Sequence, residues 1–291
     1  MDNVRTFCSK LVHLLGVYPE ALRSGWRERH VFRSLKTTCL FVGYPRSGHS
    51  LIGALLDAHP DAVIAHEADI LKYVFARFSR SQLLYLMRRN SQVSAASGRN
   101  WQGYSYQVPG QWQGRHRTLR VIGDKHGEST TVRLMLQPGL LDRVERSLGP
   151  DVRFIHVVRN PYDNIATMLR KGTDRFTDGI IERSADSLRD SIRYYFALCQ
   201  GVALLKARIG DRMLEVRHED VVARPSEALS RICQFLGLEP SPQYLADCAA
   251  VVFAEPHRSR HEAPWTAEAI DIVTREAARF RPLDGYTFEG L

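Results

Sequence analysis

The sequence predicts an α/β fold, a three-layer doubly wound arrangement with helices on both faces of a parallel sheet. Short apolar segments alternate with segments of helical period along the chain. Residues 152–158 form a near-continuous apolar run, as in a central parallel strand that is buried on both faces. Residues 62–65 resume a strand pattern soon after a helix, which is typical of a right-handed βαβ unit.

Strands and helices follow one another in a regular order. The predicted strands are residues 39–42, 62–65, 119–123, 152–158 and 213–216, and the predicted helices are 51–56, 68–90, one after Asn160, 185–209 and several beyond 216. Asn160 is suited to cap its helix, Pro161 to its first turn and Gly210 to a helix stop. We predict a single domain over residues 1–291, with a helical lead-in at 1–36.

The composition is that of a soluble globular protein, with 44% hydrophobic and 25% charged residues. A formal charge of +8 suggests an anionic partner, either a phosphorylated nucleotide or a nucleic acid, although a solvated basic surface explains it equally. No run of five or more Lys and Arg residues occurs. We therefore expect no nucleic-acid partner.

Cysteine usage and hydropathy bear on the cellular compartment. The five cysteines are scattered without CxxC spacing, which favours a reducing compartment. The apolar patch at residues 11–17 is interrupted by His13 and is too short to span a membrane. We expect a cytoplasmic protein without a transmembrane segment; a luminal protein whose anchor lies outside this sequence is the alternative.

The stretch CLFVGYPRSGHSLIGALLD, residues 39–57, predicts a strand, an anion-binding loop and a helix. Gly43 and Gly48 let the backbone approach a phosphate closely, while the free amides at the start of the helix attract negative charge. Such a segment is one half of a nucleotide site.

The same loop nearly fits the NTP-binding pattern GxxxxGK[ST], because Gly43, Gly48 and Ser50 stand at the required positions. His49 occupies the position of the lysine that reaches the terminal phosphates, and a neutral imidazole replaces a permanent charge poorly. The cation of this loop is Arg46, whose planar guanidinium can hold two oxygens of a shorter anionic group.

The sequence YPRSGHSLIGALLDAHPDAV resembles the 5′-phosphosulfate loop of sulfotransferases that use 3′-phosphoadenylyl sulfate (PAPS). The resemblance implies a P-loop nucleotide-hydrolase-like fold, PAPS as co-substrate and no metal. The loop residues that it implies in co-substrate binding are Arg46, Ser47, Gly48, His49 and Ser50.

A second motif, RNPYDNIAT, follows the strand at 152–158. It resembles the family pattern RNPxDxxxS, which implies that Arg159 and the hydroxyl of Thr167 hold the 3′-phosphate of PAPS. Ligands bind at the carboxyl edge of open α/β sheets, where Arg159 is expected. A third stretch, VRHEDVVARPSEALSRICQFLGLEP, resembles a family segment that we interpret as scaffold.

Sulfuryl transfer requires a base for the acceptor hydroxyl and positive charge at the leaving oxygen. Spacing similar to that of tyrosylprotein sulfotransferases implies that Glu67 is the base, with His126 and His66 as alternatives. Lys125, in a GDK context like that of the tyrosylprotein and carbohydrate branches, is expected to steady the leaving oxygen. Arg46, which is expected to bind the 5′-phosphosulfate, is also expected to take part in catalysis.

Two further regions are expected to border the site. Arg258 and Arg260 lie in a late basic segment of the kind that closes over the nucleotide in this family, and one of them is expected to meet the 3′-phosphate. Residues 91–118 have neither helical nor strand period. We predict that they form a mobile wall of the acceptor site, whose aromatic residues are Trp101, Tyr104, Tyr106 and Trp112.

The function predicted from these motifs is transfer of a sulfuryl group from PAPS to an acceptor hydroxyl. A small-molecule or glycan acceptor is expected, and we favour a carbohydrate or glycolipid because the chain departs from the phenol-sulfating branch. One alternative is a P-loop kinase that uses ATP and magnesium, with Asp124 as a metal ligand. Another is a non-catalytic nucleotide-binding protein.

Overall fold

The structure is a computed structural model that describes residues 2–101, 103–149, 151–177, 180–184 and 187–290. Its strands are Thr37–Gly43 (β1), Ala62–His66 (β2), Asn100–Trp101 (β3), Tyr104–Ser105 (β4), Val121–Lys125 (β5), Val152–Val158 (β6), Thr173–Thr177 (β7), Ile180–Ser184 (β8) and Met213–Arg217 (β9). A five-stranded sheet has the order β2, β5, β1, β6, β9, and all its neighbouring pairs are parallel. Two antiparallel hairpins, β3 with β4 and β7 with β8, lie outside this sheet.

Helices connect the parallel strands, and a helix also begins the described chain. They are Asp2–Arg27 (α1), His49–Asp57 (α2), Ile70–Phe75 (α3), Arg80–Ala96 (α4), Gly127–Leu136 (α5), Leu140–Leu148 (α6), Pro161–Lys171 (α7), Leu188–Ile209 (α8), His218–Ala223 (α9), Pro225–Leu236 (α10), Pro242–Ala250 (α11) and Ala267–Ala277 (α12). Among the described residues, no helix has both the length and the apolar character needed to cross a membrane.

Strand β1 shows why the sheet is covered on both faces. Every residue of β1 is buried, and successive side chains of a strand point to opposite faces. Leu40 and Val42 belong to a core that includes residues of α4, α5, α8 and α12. Cys39 and Phe41 belong to a second core with residues of α2, α10 and α11. The predicted three-layer parallel α/β fold is confirmed.

The predicted strands and caps agree closely with the structure. Each predicted strand overlaps a strand of the parallel sheet. Asn160 caps α7 by accepting a hydrogen bond from the amide of Tyr162, with Pro161 in the first turn. Gly210 ends α8 at a positive φ of 57°. The predicted start of that helix, Ala185, lies outside the described residues, and α8 begins after its cap, Ser187.

The predicted helix 68–90 is wrong in its bounds, because two helices occupy this region. Helix α3 ends at Phe75 and α4 begins at Arg80. Ser79 separates them, and its amide donates to the Gln82 side chain at 2.8 Å. A capping box of this kind satisfies the free amides of a new helix start.

Residues 91–118 also have more regular structure than predicted, since α4 extends to Ala96 and the β3 and β4 hairpin follows. Ser91 shows why the helical period was missed. It is completely buried on α4, where its hydroxyl donates to the Asp57 carboxylate at 2.7 Å. A polar residue therefore stands where the helical pattern calls for an apolar one.

Asp57, at the end of α2, joins several segments through one buried carboxylate. Its Oδ2 accepts hydrogen bonds from the Arg99 guanidinium and from the Gly114 amide, the latter at 2.9 Å. Its Oδ1 accepts from the amide of Ile64 at 2.6 Å and from Ser91. The side chain of Asp57 is fully buried, and that of Arg99 is 2% exposed. This carboxylate fixes the segment that carries β3 and β4 to the sheet.

We predict that Asp57→Ala lowers the free energy of unfolding by about 3–5 kcal/mol, because it leaves the Arg99 guanidinium buried without its counter-charge. Urea denaturation followed by circular dichroism measures this change. Asp211→Ala is the control, since Asp211 is exposed in the turn after α8 and should change stability by no more than about 0.5 kcal/mol. Equal effects of the two variants would contradict the structural role of Asp57.

Candidate active site

A cavity of about 670 Å³ opens at the carboxyl edge of the parallel sheet. Each of the five strands leads into its wall, because Arg46 follows β1, Glu67 follows β2, Lys125 ends β5, Arg159 follows β6 and His218 follows β9. Parallel strands direct all their carboxyl ends to one edge, and this edge is the usual ligand site of open α/β sheets. The volume is typical of a pocket for a nucleotide or a similar molecule.

The loop between β1 and α2 has the conformation of an anion-binding turn. Arg46 and Gly48 have positive φ angles of 67° and 95°, and both line the cavity. A Cβ atom on Gly48 would overlap the ring of His218, so this position requires glycine for both space and backbone conformation. The loop lies at the amino terminus of α2, where helix amides attract negative charge.

Ser47 is placed differently from its neighbours in this loop. Its side chain is fully buried, and its hydroxyl hydrogen-bonds to the Tyr44 carbonyl at 3.0 Å and the Asn164 side chain at 2.9 Å. Asn164 also donates to the carbonyl of Pro45. The Ser47 side chain does not line the cavity formed by the described residues; it fixes the loop to α7.

His49 lies in the cavity wall, but it does not supply a charge there. Its Nε2 lies 3.0 Å from the carbonyl oxygen of Val42, and a Cβ on Gly127 would come within 2.5 Å of its ring. Burial lowers the pKa of His49 to about 3, and the Lys125 ammonium contributes in the same direction. The side chain at the position of the P-loop lysine is therefore neutral.

Arg159 and Thr167 both line the cavity. One Arg159 nitrogen donates to the carbonyl of Arg46 at 3.1 Å, and another donates to the carbonyl of His257 and to the Ser259 hydroxyl at 3.3 Å. Its Nε is buried and has no hydrogen-bond partner among the described residues. Such an unsatisfied donor beside a cavity fits an anionic ligand.

Arg258 and Arg260, the two arginines of the late basic segment, have different surroundings in the structure. Arg258 lines the cavity. Arg260 is 2% exposed and lies away from it, where its Nε is 3.5 Å from Asp163 and one terminal nitrogen donates to the carbonyls of Thr287 and Gly290, each at 3.1 Å. Arg260 therefore does not line the cavity formed by the described residues; its side chain supports the carboxyl-terminal segment.

Glu67 and Lys125 form an ion pair inside the cavity. The Nζ of Lys125 lies 2.7 Å from Oε1 of Glu67 and 3.1 Å from the hydroxyl of Ser50. Burial alone would raise the pKa of Glu67, but the charge and hydrogen bond of Lys125, together with His126 and His66, outweigh it and the net shift is downward. Burial lowers the pKa of Lys125 despite the opposing effect of Glu67.

The backbone at Glu67 is held in an unusual conformation by Asp124. Glu67 has a φ of 56°, which is uncommon for a residue other than glycine. The two carboxylate oxygens of Asp124 accept hydrogen bonds from the amides of Ala68 and Ile70, at 3.0 and 2.8 Å. The amide of Glu67 itself donates to the carbonyl of Lys125 at 3.1 Å. Asp124 therefore fixes the turn that presents the Glu67 side chain.

This geometry bears on the magnesium role considered for Asp124. The residue is 1% exposed, both of its oxygens are engaged by amides, and it does not line the cavity formed by the described residues. Within the same residues, no group of three or more His, Cys, Asp and Glu side chains is arranged to hold a metal ion. Asp124 is a structural carboxylate in this fold.

The two alternative bases occupy different positions. His126 lines the cavity. His66 does not line the cavity formed by the described residues, and its ring centroid lies 4.9 Å from that of Trp101. Burial lowers the pKa of His66 to about 3, and Lys125 contributes in the same direction. Of the two histidines, only His126 lines the cavity formed by the described residues.

Aromatic side chains form one wall of the cavity beside the ion pair. This aromatic wall consists of Trp101, Tyr104, Tyr106 and Phe253. The Nζ of Lys125 is 5.9 Å from the Trp101 ring centroid, and the rings of Tyr104 and Phe253 are 5.6 Å apart. Trp112, expected in the same wall, lies outside the cavity lining, and its amide donates to the carbonyl of Ala58.

Sequence reasoning missed several cavity residues, of which His218 and Phe253 are the most informative. His218 follows the last strand of the sheet, and that strand-end position was the available signal. Burial lowers its pKa to about 3, and Arg159 contributes in the same direction. Phe253 follows α11 in a segment without a motif, so only tertiary structure brings it to the cavity.

The parallel α/β fold and the loop between β1 and α2 place the chain in the P-loop-like class. The profile of the sulfotransferase family matches residues 40–242, more than half of the chain. This chain therefore belongs to the sulfotransferase family, and it is a PAPS-dependent sulfotransferase.

Solved structures share the fold at low sequence identity. The sulfotransferase STF9 from Mycobacterium avium is 11% identical, with a TM-score of 0.51, and the match covers 93% of this chain and 81% of that one. The sulfotransferase STF1 from Mycobacterium tuberculosis H37Rv is 12% identical, with a TM-score of 0.50 and coverages of 89% and 81%. These likenesses concern the fold.

We predict that Gly53→Ala impairs sulfuryl transfer, although alanine favours a helix by up to about 1 kcal/mol. A Cβ at residue 53 would lie 2.8 Å from Cγ of Lys125, so either the Lys125 side chain or helix α2 must shift, and the contacts of Lys125 with Glu67 and Ser50 are expected to change. Transfer is measured with radiolabelled PAPS and an acceptor found by screening, and stability by thermal denaturation.

Gly16→Ala is the matched control for this prediction. Gly16 is also helical, in α1, and nothing lies within 4 Å of the added Cβ. It should gain helix stability without any loss of transfer. If Gly53→Ala transferred sulfate at the wild-type rate, the position of Lys125 would not limit the reaction.

Proposed function

We propose that this sulfotransferase moves the sulfuryl group of PAPS to a hydroxyl of a carbohydrate or glycolipid, with Glu67 as the general base. The observation that carries the proposal is the ion pair of Glu67 and Lys125, 2.7 Å apart, in the cavity that also contains the anion-binding loop. A carboxylate and an ammonium at this place supply the base and the cation that sulfuryl transfer requires.

The nucleotide is assigned to the basic end of the cavity. Arg46 and Ser50 would bind the 5′-phosphosulfate together with the amides of Gly48 and His49, because these residues line the cavity at the start of α2. Ser47 contributes through the backbone, since its side chain is engaged with the protein. The neutral ring of His49 leaves Arg46 as the cation of this loop.

A second set of residues is assigned to the 3′-phosphate. Arg159, Thr167 and Arg258 share the same cavity. The buried Nε of Arg159 has no partner among the described residues, so a phosphate oxygen would satisfy it. A phosphate at this place would distinguish PAPS from ATP.

The transfer step follows from the positions of Glu67 and Lys125. Glu67 takes the proton of the acceptor hydroxyl as its oxygen attacks sulfur. The bond between sulfur and the bridging oxygen breaks, and the negative charge passes to the 5′-phosphate of the departing nucleotide. Lys125 stabilises that charge, and its lowered pKa makes it a better proton donor than an exposed lysine.

The aromatic wall supports a carbohydrate as the acceptor. Trp101 is 37% exposed and Tyr104 is 43% exposed, so both offer ring surface to the cavity. Sugar rings have apolar faces that pack on aromatic side chains, while their hydroxyls remain available to a base such as Glu67. We therefore place the acceptor between this wall and the ion pair.

The nucleotide assignment is tested by thermal shift with adenosine 3′,5′-bisphosphate (PAP) and, separately, with ATP and magnesium. PAP at about a hundredfold its Kd should stabilise the protein by about 2.7 kcal/mol, which for this size corresponds to a rise in Tm of about 5–10 °C. Arg159→Ala should abolish the shift. Arg224→Ala, at a residue that is exposed and outside the cavity lining, should retain it.

Two results of this experiment would contradict the assignment. A shift with ATP and magnesium alone would favour the kinase alternative. An undiminished shift with PAP in Arg159→Ala would remove Arg159 from the nucleotide site.

The base is tested by Glu67→Gln, which should bind PAP with the wild-type thermal shift but lose transfer by about 10²–10⁴-fold. Glu128→Gln is the matched control, because Glu128 lines the same cavity while its carboxylate accepts a hydrogen bond from Tyr194 at 2.6 Å. The control should keep most of its activity. Wild-type turnover by Glu67→Gln would show that another group removes the proton.

The pH dependence gives a second measurement on the same pair. Since the pKa of Glu67 is lowered from 4.5, kcat/KM should remain high on acidification until the pH falls below about 4.5, where Glu67 takes up a proton. On the alkaline side, kcat/KM should decline as Lys125 loses its proton. Because the pKa of Lys125 is lowered from 10.5, this decline should begin at a lower pH than for an exposed lysine. An acid limb near pH 6.5 that persists in Glu67→Gln would identify a histidine base.

A further inference from the structure

Helix α1 has an exposed apolar face on the side turned away from the protein. Four large side chains on it are exposed: Leu15 63%, Tyr18 42%, Leu22 47% and Trp26 66%. Tyr18 lies at the edge of this face, where its ring also contacts Phe78. The spacing of these four residues by three and four positions places them along one side of a helix. We call this set the outer stripe.

The opposite side of α1 is packed against the protein. Ala21 is fully buried, and Gly25 approaches the start of α4 so closely that an added Cβ would lie 2.6 Å from the carbonyl oxygen of Ser81. This packing fixes the helix. The outer stripe is therefore presented on a supported helix.

Several exposed positive charges lie near the outer stripe. They include Arg23 and Arg27 on α1 and Arg29 and Arg33 in the segment that follows it. The guanidinium of Arg29 lies 4.3 Å from the ring centroid of Trp26, so positive charge and apolar surface are adjacent.

The nearby acidic residues are turned toward α4. Glu20 pairs with Arg89 at 2.8 Å and Glu28 with Arg88 at 3.1 Å. Arg27, which is 74% exposed, is only 3.8 Å from Glu28, so this pair leaves its charge largely accessible to solvent. The outward surface keeps a net positive charge.

We propose that the outer stripe and its arginines dock the enzyme on an anionic lipid bilayer. Leu15 and Leu22 would enter the head-group boundary, Tyr18 and Trp26 would lie at its polar edge, and the arginines would meet acidic head groups. A bilayer is favoured over a protein partner because exposed arginines lie near the stripe, whereas Glu20 and Glu28 are paired with arginines of α4. The proposal is independent of the acceptor and of the catalytic assignments.

The test is sedimentation of the full chain with vesicles of phosphatidylcholine alone or mixed with phosphatidylglycerol. We expect binding to the anionic vesicles that weakens as salt is raised, and little binding to the neutral ones. The double variant Leu22→Ser and Trp26→Ser should reduce binding by roughly tenfold or more. Leu136→Ser with Leu204→Ser is the matched control, because both leucines are 63% exposed on other helices, and it should bind like the wild type.

Two double variants that each remove two arginines test the electrostatic contribution to vesicle binding. Arg23→Gln with Arg27→Gln should weaken binding roughly 25-fold, because each arginine near an acidic bilayer contributes about fivefold. Arg189→Gln with Arg193→Gln removes the same charge from exposed positions of α8 and should have a much smaller effect. Circular dichroism of each variant confirms that it is folded.

Three results would overturn the proposal. Equal binding to neutral and anionic vesicles would show that lipid charge does not drive the binding. Wild-type binding by the Leu22 and Trp26 variant would show that the outer stripe is not the docking surface. The third is a wild-type dimer that fails to bind vesicles and that this variant converts to a monomer, as measured by light scattering. That result would assign the stripe to contact between two copies of the chain.

Discussion

The parallel pairing of the central strand governs the rest of the molecule. Strand β1 pairs with β5 on one side and with β6 on the other, so three strands end together at the edge where the cavity opens. Parallel strands also require crossovers that cover both faces of the sheet. The same constraint therefore produces the two buried cores and brings residues distant in the sequence to one site.

Two buried carboxylates hold in place the segments that carry residues of the cavity. Asp124 accepts the amides of Ala68 and Ile70 and so fixes the turn that presents Glu67. Asp57 binds Arg99 and the amide of Gly114, which anchors the segment that carries most of the aromatic wall. Both side chains are inaccessible to solvent, so their contribution is to the placement of groups that do reach the cavity.

The sequence predicted best those features that are local. The anion loop and the motif at Arg159 depend on neighbouring residues, and the structure brings Arg46 and Arg159 to one cavity. The sequence alone could not distinguish Arg258 from Arg260. The two residues are only two positions apart, but the short helical turn between them directs their side chains to different surroundings. The burial of Ser47 depends on Asn164, a residue of a distant helix. His218 and Phe253 join the site only through the tertiary fold.

The close packing of Gly48 against His218 has a consequence for how this site can change. The glycine belongs to the anion loop and the histidine to the end of β9, yet they share a single volume, since a side chain at residue 48 would overlap the imidazole ring. Substitutions at the two positions are therefore coupled: a larger residue at position 48 requires a smaller one after β9, and also a change of the loop backbone from its φ of 95°. In related chains, the sizes of these two residues should covary even though 170 positions separate them.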